Sequence, residues 1–76
     1  MPSREDAVCL TLRTKLQLKL LSIYRVAVRM LDEKGTDKIK SAIGDMYRLL
    51  DELTSILGEY ESHGCEERLK DLGTER

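Results

Sequence analysis

The chain has no Phe and no Trp, one Pro, one His and two Cys among its 76 residues. Without Phe or Trp it lacks the bulk that usually fills the core of a small globular domain. With one Pro and five Gly it also lacks the turn residues that a fold of many short strands requires. Cys9, Cys65 and His63 fall short of the four ligands of a structural zinc site. No C-x-x-C pair is present, so neither a metal nor a cofactor is expected. No glycine-rich phosphate loop occurs, because Gly35-Thr36-Asp37 follows no strand and reads as a helix–helix turn. No apolar run is long enough to span a membrane, since Lys19, Arg25 and Arg29 interrupt the stretch from Leu16 to Leu31. Met1 to Asp6 are polar and form no secretory leader, so a cytoplasmic location is expected. There Cys9 and Cys65 are expected to be idle thiols. Both nevertheless fall near the open end of a hairpin folded about Gly35, where a disulfide is geometrically conceivable.

A chain of this length hides only about 60% of the surface its unfolded form exposes. That excludes a multidomain enzyme and a large self-contained pocket, and no small-molecule substrate is expected. The formal net charge of −1 conceals a strong asymmetry. Between Ala7 and Leu31 there are five basic residues (Arg13, Lys15, Lys19, Arg25, Arg29) and no acidic one. Between Asp45 and Glu67 there are seven acidic residues and a single basic one, Arg48. A basic segment is thus followed by an acidic one.

The residue pattern predicts an all-α fold. Ser3 followed by Asp6 resembles a capping box, and no Gly or Pro recurs before Gly35, so a first helix is expected over 4–34. Gly35 suits a left-handed C-terminal position, and Thr36 is a plausible N-cap for a second helix over 36–63. Gly64 ends that helix, a short third helix is expected over 65–72, and Thr74 to Arg76 are expected to fray. In the second helix Ile39, Ile43, Met46, Leu50, Leu53, Leu57 and Tyr60 alternate at spacings of four and three, the pattern of a helix–helix seam. Ala42, Leu49 and Ile56 widen that stripe. In the first helix Leu12, Leu16, Leu20, Ile23, Ala27 and Met30 form one seam, while Leu10, Leu21, Tyr24, Val28 and Leu31 form a second apolar edge. An arc so wide cannot be covered by one neighbouring helix. The expected architecture is therefore a long antiparallel helical hairpin with a short C-terminal helix. It is expected to assemble as a homodimeric (or tetrameric) helical bundle, with the first helix central and Leu10, Leu21, Tyr24, Val28 and Leu31 in the interface.

Catalysis finds little support in the pattern. His63 and Cys65 are neighbours at a helix end without a third orienting group, and Asp51, Glu52, Glu59 and Glu61 read as a solvated face. The chain is expected not to be an enzyme, and no catalytic residue is assigned. Two surfaces stand out. Lys15, Lys19, Arg25 and Arg29 share one side of the first helix, a stripe that fits either charge pairing with the acidic second helix or a phosphate backbone. Gly44, Ser55 and Gly58 share an outer face of the second helix, which reads either as plain surface or as a place where another helix docks. The expected function is an oligomerising, regulatory or assembly module. Its partners would be a second copy of itself and a further protein, with RNA or DNA binding through the basic stripe as the alternative.

Overall fold

A computed structural model describes residues 4–73, with the side chains of 71–73 left aside. It contains three helices: α1 over Arg4–Arg29, α2 over Thr36–Ser62 and α3 over Cys65–Gly73. No strand occurs among the described residues. The expected capping box at Ser3 and the expected fraying of Thr74–Arg76 lie outside them.

Helix α1 forms because 26 residues pass without Gly or Pro, and Glu5 and Asp6 stand in its first turn, where the helix dipole favours negative charge. It ends five residues before the expected Lys34. Met30 and Leu31 donate to carbonyls three residues back, Ala27 and Val28, at 3.1 and 3.2 Å, which tightens the last turn and stops the helix. The Glu33 carboxylate then accepts the Gly35 N–H at 2.9 Å. That bond holds the connection in an extended course. Gly35 therefore does not take the expected left-handed conformation: its φ is −73° and ψ 120°. Gly35, and not Thr36, is the N-cap of α2, and its carbonyl accepts the first helical bond from Ile39 at 3.0 Å. The left-handed residue is Gly64, with φ +63°, at the break between α2 and α3. The Arg68 guanidinium closes that break by donating to the His63 carbonyl at 3.3 Å.

The two long helices run antiparallel, as three pairs within the chain show, one between α1 and α2 and two between the start of α1 and the residues just after α2. Glu5 meets His63, Cys9 meets Cys65, and Lys19 meets Glu52. Cys9 and Cys65 form a disulfide, with Cα atoms 5.3 Å apart, and both residues are fully buried. This replaces the expectation of idle thiols. Around the bond Leu12 is buried and Val8, Ile56, Tyr60 and Leu69 pack. Arg68 adds an ion pair to Asp6 at 3.7 Å, so α3 is tied to the start of α1 by covalent, apolar and charged contacts.

The disulfide places Cys9 on the inward face of α1 and joins it to α3. Starting from Cys9, the inward-facing row of α1 runs through Leu12, Leu16, Lys19, Ile23 and Val26 to Met30 just beyond its end, all buried or half-buried, with Ser22 half-buried beside it. On α2 the corresponding positions include Ile39, Ala42, Met46, Leu49, Leu53, Ile56, Tyr60 and His63. Both series alternate in steps of three and four, a heptad seam. This seam is not the expected one. Leu20 and Ala27 were placed in it and are exposed; Lys19 and Val26 take their positions. On α2, Ile43, Leu50 and Leu57 were placed in the seam and are exposed, while Ala42, Leu49 and Ile56 face α1. The reason is common to both helices. The most apolar line of each helix is not the line that faces its neighbour, and on α1 the disulfide holds Cys9 in the facing line.

The disulfide closes a loop across a sequence separation of 56 residues. Chain-entropy arguments assign such a closure about 4 kcal/mol. Urea unfolding followed by circular dichroism is expected to show stability falling by that order on reduction, and by a similar amount for Cys9→Ser with Cys65→Ser.

Candidate interaction surfaces

The seam divides the hairpin into two faces. A helix advances about 100° per residue, so the residue after each seam position lies on one flank and the residue before it on the other. Because the helices are antiparallel, equivalent flanks meet on the same face of the hairpin.

The rows before the seam make a polar face. On α1 they comprise Thr11, Lys15, Leu18, Ser22, Arg25 and Arg29; on α2 they comprise Lys38, Ser41, Asp45, Arg48, Glu52, Ser55 and Glu59. The basic stripe of Lys15, Lys19, Arg25 and Arg29 is therefore laid beside the acidic residues of α2. Lys19, half-buried in the seam itself, donates to the Glu52 carboxylate. Lys15 and Glu59 line one shallow groove, and Arg29 and Asp45 line another. Arg48 donates to Asp45 at 3.3 Å within α2. The hydrogen bond from Lys19, reinforced by the charge of Lys19 and more weakly by Arg48, holds the Glu52 carboxyl below its ordinary value, against a smaller opposing effect of desolvation. The geometry matches the expected charge complementarity between the two helices.

The rows after the seam make a mostly apolar face, on which Arg13, Gln17, Lys40, Thr54 and Glu61 also stand. On α2, Ile43, Tyr47, Leu50 and Leu57 each follow a seam residue, and all are exposed. On α1, Leu10, Leu20, Tyr24, Ala27 and Leu31 do the same. Leu21 and Val28 lie one step further round and are exposed as well. Leu20 is 54% exposed, Leu31 77% and Ile43 47%, values foreign to side chains whose burial drives folding. The five residues expected at an oligomer interface, Leu10, Leu21, Tyr24, Val28 and Leu31, are all uncovered within the single chain. Sequence reasoning missed the contribution of α2. Ile43, Leu50 and Leu57 form an uncovered row of their own, so the open apolar face belongs to both helices and not to α1 alone. The available signal was the second row of Ala42, Leu49 and Ile56, which supplies a complete alternative seam.

The remaining candidates are simpler. Gly44 and Gly58 lie on the side of α2 away from α1, and a methyl group built at either meets no atom within 4 Å. Ser55 lies on the neighbouring row and is exposed. Among the described residues nothing approaches the side of Gly44 or Gly58 closely. His63 is half-buried, with Nδ1 3.0 Å from the Glu5 carboxylate. Cys65 is bound to Cys9, so the neighbouring His63 and Cys65 do not form a base and a thiol nucleophile.

Comparison with known protein families, with curated proteins and with solved structures finds no match to this chain.

Two outcomes follow from these surfaces. A carboxyl whose folded value is depressed contributes stability above its unfolded value and loses it as pH falls through the folded one. Thermal melts from neutral pH to below about pH 4 are therefore expected to show acid destabilisation that is shallower in Glu52→Gln, by a small amount since the pair is partly exposed. Gly44→Ala and Gly58→Ala are each expected to raise stability by about 1 kcal/mol through helix propensity. Their oligomer mass, measured by light scattering, should be unchanged; a loss of assembly would instead make this a docking face.

Proposed function

We propose that this chain is a non-enzymatic, self-associating helical hairpin that serves as an assembly or regulatory interaction module. One observation carries the reading: the apolar stripes of both long helices are turned onto one face of the hairpin and left uncovered. A hairpin stable by itself gains most by pointing the centre of each stripe at the other helix. In a four-helix bundle each stripe instead points between two neighbours, one in the same chain and one in the facing pair. The seam supports that second arrangement, because each stripe is split between the intrachain contact and the open face. The scarcity of core fits as well: among the described residues only Cys9, Leu12, Val26, Ala42 and Cys65 are buried.

The alternative, RNA or DNA binding by Lys15, Lys19, Arg25 and Arg29, draws less support. Glu52, Glu59 and Asp45 share the face of the basic stripe, and a phosphate backbone following it would meet those carboxylates. The disulfide favours an oxidising compartment over the cytosolic location expected from the sequence, because reducing compartments keep thiols apart.

The test is a mass measurement in solution, by light scattering or sedimentation, on wild type and on Leu20→Lys/Leu50→Lys. Wild type is expected to be a dimer, or a tetramer at higher concentration. Fully burying a Leu contributes roughly 1.5–3 kcal/mol, and each site occurs twice in a symmetric pair. The double variant should therefore dissociate at least about 100-fold more readily, with its helix content retained, since both side chains are exposed in the single chain. A monomeric wild type would overturn the proposal.

A further inference from the structure

The hairpin as a whole is not symmetric in charge along its length, and that asymmetry has a direction. Around the α1–α2 turn, residues 25–48 carry six basic and four acidic groups, a net +2. At the open end, residues 4–13 and 57–70 carry four basic and six acidic groups, a net −2. Two copies packed face to face with their turns at the same end would set like against like at both ends. With their turns at opposite ends, each positive end meets a negative one.

The row of α2 on that face has the same polarity and a matching apolar centre. Ile43, Leu50 and Leu57 are spaced one heptad apart, so the row is symmetric about Leu50. On the row beside it, Lys40 stands at the turn end and Glu61 at the open end, and neither side chain has an ion-pair partner among the described residues. A two-fold axis through Leu50, perpendicular to the helices and lying in the interface, brings Leu50 onto Leu50 of the second copy. The same axis brings Ile43 onto the second copy's Leu57 and Lys40 beside its Glu61. A surface that complements itself under rotation is what an isologous dimer requires. The Lys19–Glu52 pair places Leu50 level with the Leu20–Tyr24 turn of α1. The axis therefore also sets Leu20 against Tyr24 of the second copy.

We propose that the uncovered apolar face is the interface of an antiparallel homodimer, with the turns of the two hairpins at opposite ends, α2 packed on α2 about Leu50 and Lys40 paired with Glu61 across the axis. This geometry rests on the self-association proposed above and adds its direction.

Cysteine cross-linking tests it in protein that keeps its native Cys9–Cys65 bond. With a short bis-maleimide, most Leu50→Cys chains should become covalent dimers on denaturing gels. Ile43→Cys and Leu57→Cys should each stay single alone and link to one another when mixed. Lys40→Glu should weaken dimerisation several-fold at low salt, and Lys40→Glu/Glu61→Lys should restore it; this pair of exposed substitutions keeps the test informative if a cysteine variant fails to fold. A wild type with the mass of one chain overturns the self-association and this geometry together. A dimer in which Leu50→Cys chains fail to link to each other but link to Leu20→Cys chains overturns the geometry alone, since that is the contact made when both turns lie at the same end.

Discussion

The bond between Cys9 and Cys65 fixes the rotational setting of α1 in this hairpin. A helix pair held only by apolar contacts is free to turn each stripe toward its neighbour. Here a covalent bond enforces the contact at one end, and the heptad repeat carries its phase along the whole of α1. Lys19 is brought into the seam as a result, and it is accommodated because Glu52 stands opposite it. Leu20, one step further round, is turned outward by the same rotation.

That setting separates two kinds of surface. The face carrying Lys15, Lys19, Arg25 and Arg29 beside Asp45, Glu52 and Glu59 is satisfied within the chain or by water, and each exposed pair adds little stability. The opposite face carries Leu20, Tyr24 and Leu31 beside Ile43, Leu50 and Leu57, all exposed in the single chain. Apolar area is what drives association, while charge chooses orientation. The charged and the apolar surfaces thus lie on different sides of the same helices. At the open end α3 is anchored by the disulfide, by Leu69 against the cluster of Cys9 and Leu12, and by Arg68 on Asp6, so this buried cluster lies at the end away from the turn.

Much of this was legible in the residues. The first helix follows from the absence of Gly and Pro between Arg4 and Gly35, the second from its apolar repeat, and the divisions between the three helices from the breaks near Gly35 and at Gly64. The surplus apolar arc on α1 follows from the number of Leu, Tyr and Val positions outside any single seam. Local details departed where side chains competed with backbone rules. Glu33 bonded to the Gly35 N–H, so the glycine had no need of positive φ. The tightened bonds of Met30 and Leu31 ended α1 early.

The sequence by itself determined that the chain is helical, that it folds back near Gly35, and that its apolar residues exceed what two helices hide from water. These depend on local propensity and spacing, which act over a few residues. Only the tertiary structure decided which of two equally periodic rows faces inward. Ile43, Leu50 and Leu57 form as regular a heptad row as Ala42, Leu49 and Ile56, and periodicity cannot rank them. The choice came from a contact between residues 56 positions apart, Cys9 with Cys65, and from the charge pair of Lys19 with Glu52. Hydrophobic burial has no direction of its own, so the rotation of each helix was set by the bonds that do.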